Sequence, residues 1–181
     1  VLAGRLLVAT PRLADPNFAR AVVLLLDHGA EGAFGVVLDR PLPVPVGGVL
    51  PGWQALVTEP GALFQGGPVG LDGAIGLATV AGAGPHRGID RLVGPFGLVD
   101  LDGDPAELTG EVTGLRVFAG HAGWGGGQLE AEIADHDWYV LPAEPGDAVS
   151  DDPAGLWRRV LRRQGGDLAI VSLWPLDARL N

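Results

Sequence analysis

The chain has 181 residues, 47% of them hydrophobic and 19% charged, which places it among globular chains rather than disordered ones and gives one core enough apolar surface to bury. Its net charge is −10 at pH 7, with 12 arginines and no lysine, a balance that disfavours non-specific binding to nucleic acid or to an anionic membrane. Cysteine is absent, and with it disulfides, thiolate metal sites and cysteine nucleophiles.

Glycine (30) and proline (15) cut the chain into short elements, so many strands and turns are expected rather than a few long helices. Leu6 to Ala9 is a first apolar run. Pro11 and Pro16 then interrupt regular structure, and Asp15 before Pro16 has the form of an N-cap opening one tight turn. Ala21–Leu26 and Ala33–Leu38 read as a hairpin with a six-residue loop, DHGAEG, and are apolar at nearly every position. Strands of that kind are covered on both faces. The prolines of 41–51 extend the next stretch, with a brief helix at Trp53 to Val57 and a turn at GGPV, 66–69.

Further strands are expected at Ala74 to Val80 and at Leu92 to Asp100, the latter bulged or at an edge because of Gly94 and Pro95. Asp104, Pro105 and Glu107 start a short helix that Gly110 closes, and Leu115 to Ala119 alternates as a strand. The stretch GHAGWGGGQLE, Gly120 to Glu130, reads as a glycine loop entering a helix at Gln128 to Ala134. Trp138 to Leu141 is another strand. Asp152 and Pro153 open an amphipathic helix with Leu156, Trp157, Val160 and Leu161 on its buried stripe and Gly165 at its end. Leu168 to Leu173 reads as a last strand or a docked arm. The expected fold is α+β: one domain, 1–181, with a mixed, largely antiparallel sheet or partly closed barrel flanked by short helices.

The longest apolar run, Ala21 to Leu26, falls far short of the ~20 residues that span a membrane, and no charged n-region or small-residue cleavage site opens the chain. A cytoplasmic location is expected.

Three stretches resemble one family: LLVATPRLADPNFARAVVLLLDHGAEGAFGVVLDRP from Leu6 to Pro41, GGPV from Gly66 to Val69, and AGHAGWGGGQLE ending at Glu130. Their order and spacing resemble the YqgE/AlgH family of bacterial proteins. That resemblance implies a compact single-domain α+β protein, carries a transcriptional-regulator label for some members, and supplies no reaction or catalytic residue. Asp39 stands where the family usually has Asn, and His121 where it usually has an aromatic residue, commonly Tyr.

A glycine-rich turn before a helix can cradle phosphate, but Gly-Lys-Ser/Thr is missing, the spacing is not that of the dinucleotide fingerprint, and Glu130 and Glu132 occupy the helix start. Close strand-to-helix packing around Trp124 is the structural reading. His28 lies beside Asp27 and Glu31, and His86, His121 and His136 form no His-x-x-x-His pair, so neither a metal nor a cofactor is expected. Asp135, His136 and Asp137 are adjacent, but neighbours point to different faces of an extended chain. Ser150 and Ser172 lack a nucleophile setting, and a carboxylate pair drawn from Asp15, Asp39 and Glu130 would be unspecific among 22 acids, so no catalytic residue is assigned.

The reading favoured is a non-enzymatic binding or regulatory protein. The alternative is an enzyme or binding protein for a small anionic or nucleotide-like ligand, in a pocket formed by Asp15, Arg40, Gly66, Gly67, His121, Gly123, Trp124, Gly125 and Gln128. Arg158, Arg159, Arg162 and Arg163 share a helix face and form a candidate patch for an acidic partner or a nucleic-acid backbone. The expected partner is therefore a protein or a small anion, with DNA binding through the arginine helix as a third reading.

Overall fold

The structure, a computed structural model, describes residues 1–82, 84, 87–108 and 112–175. Among the described residues ten strands form one sheet: β1 (Arg5–Ala9), β2 (Val22–Gly29), β3 (Gly32–Val37), β4 (Pro41–Pro45), β5 (Ala62–Gln65), β6 (Val69–Val80), β7 (Ile89–Val93), β8 (Phe96–Val99), β9 (Val112–Gly125) and β10 (Trp138–Pro142). Flanking it are the helices α1 (Gln128–Ala134), α2 (Leu156–Gln164) and α3 (Gly166–Val171). The main path runs β10-β1-β2-β3-β9-β6-β8-β7, antiparallel throughout, while β5 lies parallel to β9 and carries β4 on its other side. The expected α+β architecture with a largely antiparallel, partly closed sheet is what forms.

The long strand β9 explains the curl. Its first part pairs with β6, Phe118 and Ala119 pair with β5, and Ala122 to Gly125 pair with β3. One strand thus belongs to both halves, and the sheet bends around it into a half-barrel. Alternation decides which residues fill each side. Leu6, Val8, Val22, Leu24 and Val36 meet Leu156, Trp157, Val160 and Leu161 of α2, whereas Leu7, Val23, Leu25 and Val37 meet Trp124, Leu129 and Trp138. The all-apolar runs in β2 and β3 are therefore covered on both faces, as expected. Each such Leu or Val buried contributes about 1.5–3 kcal/mol.

Several elements differ from the sequence expectation: the brief helix expected at Trp53 to Val57 is a single tight turn at Pro51–Trp53, and the strand expected from Ala74 already begins at Val69. Asp27 and His28 pair within the hairpin ladder and Gly29 faces Gly32, so only Ala30 and Glu31 make the turn, with a bulge between Leu25 and Asp27 absorbing the extra residue. Gly94, at φ +54, turns the chain between β7 and β8, which makes a hairpin of what reads as one bulged strand. Gly165, at φ +73, ends α2 but the chain re-enters helix at once, and Leu168 and Val171 pack against the main core from α3 rather than from a strand. A short continuous apolar run fits either period.

The glycine stretch differs most. Residues up to Gly125 are ladder-paired strand, and only Gly126 and Gly127 turn into α1. The glycines there serve close backbone approach. A Cβ on Gly67, whose φ is +151, would sit 2.1 Å from the His121 carbonyl oxygen, and one on Gly120 would sit 2.6 Å from that of Gly67. The link from β5 to β6 can cross β9 only because no side chain stands between them. Asp104 caps its short turn through the Ala106 amide at 3.0 Å, while Gly110 lies outside the described residues. No helix among the described residues is long and apolar enough to cross a membrane.

Candidate functional site

Three arginines from separate segments meet at one cavity. Asp15 builds the first segment: its carboxylate accepts from the Asn17 amide at 2.8 Å and its carbonyl from Phe18 and Ala19. The turn leaves Arg20 at φ +59, a left-handed conformation that costs a non-glycine residue about 1–2 kcal/mol. Its guanidinium lies over the Trp157 ring, 4.2 Å from the centroid, and donates to the Trp174 carbonyl at 2.5 Å. Arg40 follows β3 and donates to the Ala19 carbonyl at 2.5 Å. Arg158 comes from α2 and donates to the Ser172 carbonyl. With Asp39 and the Trp157 ring they line a cavity of about 260 Å³.

The electrostatics of this cavity are unbalanced. Among the described residues, none of Arg20, Arg40 and Arg158 is in an ion pair. Arg20 is held below the usual arginine value by burial and by the like charge of Arg158. The one acid in the lining, Asp39, is pushed up to about 7 by burial, against the opposing pull of the Val22 amide, which donates to it at 3.1 Å, and of Arg40. A planar guanidinium carries five N–H donors, so each arginine retains donors after serving one backbone carbonyl.

The residues singled out in the sequence divide among three places. Arg40 and Gly67 line a small cavity of about 90 Å³ beside Pro16, Asn17 and Gln65, so the Asp15 turn, Arg40 and the GGPV segment do come together. Gly66 is a backbone crossing point, donating to Ala119 and accepting from Val37. His121 packs on Phe34 with ring centroids 4.8 Å apart and planes tilted by 50°, and strand alternation turns it to the face opposite Trp124. Gly123 pairs with Phe34 in the ladder.

Trp124, Gly125 and Gln128 belong to a closed network instead. Glu132 Oε1 accepts both indole N–H groups, from Trp124 at 3.2 Å and Trp138 at 3.0 Å. Gln128 donates to Glu132 Oε2 at 2.9 Å and accepts from the Gly125 amide at 3.0 Å. Phe18 closes the aromatic cluster against both tryptophans. This network ties α1 to β9 and β10, and its polar atoms are already matched.

The histidines have local duties. His28 Nδ1 accepts the Leu2 amide at 3.0 Å, which assigns the proton to Nε2, and that atom donates to Glu130 at 2.5 Å. The bond from His28 is the main reason the Glu130 carboxyl lies below its ordinary value. The His136 carbonyl accepts from Thr10 at 2.7 Å. Among the described residues no three His, Cys, Asp or Glu side chains cluster as metal ligands, and His86 lies outside them.

The four helix arginines part company. Arg163 grips Asp147 with two bonds of 2.7 Å and reaches Glu144 at 3.4 Å, and Arg159 pairs with Asp152 at 2.8 Å. The acidic segment that precedes α2 thus folds back onto it, along a groove of about 890 Å³. Asp152 spends its side chain on Arg159 rather than on a cap. Arg158 turns to the 260 Å³ cavity and Arg162 stays exposed. Ser150 accepts from Arg159 and the Asp152 amide, and Ser172 donates to the Ala169 carbonyl, so both hydroxyls have structural partners. Sequence reasoning placed Arg40 and Arg158 in separate groups and missed Arg20 and Trp157 as their neighbours.

Comparison with known proteins places these observations in a family. Residues 6–169 match the AlgH-like family model, a span that contains all three resembling stretches. A UPF0301 protein of Streptomyces coelicolor is 59% identical over 99% of this chain and 95% of its own length. The crystal structure of a Corynebacterium diphtheriae protein, DIP2367, is 37% identical with a TM-score of 0.89, covering 95% of this chain and 92% of that one. The solution structure of the AlgH protein from Pseudomonas aeruginosa is 27% identical with a TM-score of 0.68, covering 97% and 95%.

Proposed function

The chain belongs to the AlgH-like family, and we propose from its own geometry that it acts by binding a small anionic ligand in the arginine cavity. The observation that carries this reading is the convergence of Arg20, Arg40 and Arg158 on one cavity with no ion-pair partner among the described residues. Like charges held close together repel, and an anion bound among them relieves that repulsion, the more so where partial burial lowers the local dielectric, as at Arg20. The strained backbone of Arg20 points the same way, since such conformations persist where surrounding structure enforces them and concentrate at ligand sites.

Ligand binding also supports a regulatory role. Arg20 and Arg158 hold the carbonyls of Trp174 and Ser172, just beyond α3, so an anion competing for those donors would alter how the C-terminal helix is held. Direct DNA binding through α2 has less support, because Arg159 and Arg163 are already paired with acids.

The test is thermal unfolding of the full chain against a panel of small anions and neutral analogues, repeated with Arg20→Gln, Arg40→Gln and Arg158→Gln combined. A ligand at 100 times its dissociation constant adds about 2.7 kcal/mol, or roughly 5–11 °C for a chain of this size. Absence of any anion-specific shift, or a shift that survives the triple replacement, would defeat the reading.

A further inference from the structure

Resting on that anion-pocket reading, we propose that the charged group the cavity takes is a compact dianion, the phosphate monoester of a small soluble molecule, rather than a single carboxylate or a phosphodiester. Three arginines line the cavity from three segments: the turn before β2, the link from β3 to β4, and α2. The acids of the lining amount to Asp39 alone, so the cavity carries two or three net positive charges according to its protonation. A monoester carries about −1.5 to −2 charges at pH 7 and offers three acceptor oxygens, one toward each arginine. A carboxylate has one charge and two oxygens in one plane. It would satisfy one fork and leave the repulsion between Arg20 and Arg158 in place.

Two further features suit a monoester. The Trp157 ring holds the Arg20 guanidinium 4.2 Å from its centroid, which restrains that group before any ligand arrives. Asp39, when it holds its proton, becomes a hydrogen-bond donor to a phosphate oxygen instead of a repelling charge; burial pushes it up to about 7, and an adjoining dianion favours the protonated form further. The 260 Å³ cavity has room for the headgroup and a short body. Arg40 also borders the 90 Å³ cavity with Asn17 and Gln65, whose amides suit hydroxyl groups on that body.

The experiment is isothermal titration of the full chain at pH 7.5 with inorganic phosphate, glycerol 3-phosphate, dimethyl phosphate and acetate, with ³¹P line widths as an independent readout. Inorganic phosphate and glycerol 3-phosphate should bind at least tenfold tighter than dimethyl phosphate and acetate. Arg20→Gln, Arg40→Gln and Arg158→Gln should each weaken that binding tenfold or more, and Arg162→Gln should leave it unchanged. The unfolding midpoint of each variant without ligand reports whether it folds. Where a Gln variant does not, the Lys variant keeps the charge and loses the planar fork, and should bind with intermediate affinity. Equal binding of acetate and phosphate, abolished in the Gln variants, would leave the anion pocket standing and overturn the dianion. Equal binding of dimethyl phosphate and glycerol 3-phosphate would also overturn it. No binding by any of the four would overturn both readings.

Discussion

Asp39→Asn should stabilise the protein at alkaline pH and do little at acidic pH. The carboxyl is pushed up to about 7 in the folded chain, chiefly by burial, whereas an exposed aspartate titrates near 3.9. Below about pH 4 both states are protonated and ionisation makes no difference. Between about 4 and 7 the unfolded chain releases its proton while the folded chain keeps it, so stability falls as pH rises. Above about 7 the penalty is complete and constant. A difference of about three units bounds it near 4 kcal/mol, and the partial exposure of Asp39 to its cavity, with Arg40 alongside, reduces it to roughly 1–3 kcal/mol. Asparagine keeps the oxygen that accepts from the Val22 amide and cannot ionise. Urea unfolding followed by tryptophan fluorescence, at half-unit steps from pH 4.5 to 8.5, gives the difference between variant and parent directly. Glu130, which is shifted the opposite way, contributes equally to both and cancels. A variant less stable than the parent at pH 8, or a difference independent of pH, would refute burial as the dominant influence on Asp39.

Other substitutions test other parts of the design. Gly67→Ala should destabilise by at least about 2 kcal/mol, because its Cβ would meet the His121 carbonyl at 2.1 Å, while Gly146→Ala, with open space around it, should lie within about 0.5 kcal/mol of the parent in urea melts. Glu132→Gln sets an amide N–H₂ against either the two indole donors or the Gln128 donor, and should cost about 1–3 kcal/mol with a red shift in tryptophan emission. Arg163→Gln strands the buried Asp147 carboxylate and should lower stability by about 2–4 kcal/mol, whereas Arg162→Gln should change it by less than about 0.5 kcal/mol, both read by chemical denaturation.

Burial was legible in the sequence because it is a property of side chains. The unbroken apolar runs of β2 and β3 announced strands covered twice, and the stripe of Leu156, Trp157, Val160 and Leu161 announced the docked face of α2. The glycine stretch misleads for the complementary reason. Without side chains, Gly120 to Gly125 has no periodicity to report, and the same composition serves a loop or a strand crossed at close range. What decides between them is the Gly66-Gly67 backbone, contributed by a segment far earlier in the chain. Polar residues misled in the same manner at Asp27 and His28, where ladder pairing and the bonds to Leu2 and Glu130 keep the strand going past its apolar run.

The arginine cavity was hidden more deeply, since each of its parts has an ordinary local explanation. Arg158 shares a helix with three other arginines and reads as one member of a charged face; only the fold separates it from Arg159 and Arg163, because the segment from Glu144 to Asp152 returns along their side of α2 and not along its own. Arg20 reads as the end of a turn, and its left-handed backbone, which aims it at Trp157, has no signature in a residue that is not glycine. Charge pairing therefore had to be known before charge function could be read. On α2, Arg159 and Arg163 pair with acids of the preceding segment and hold the helix in place, while Arg158, in no ion pair among the described residues, faces the cavity with Arg20 and Arg40.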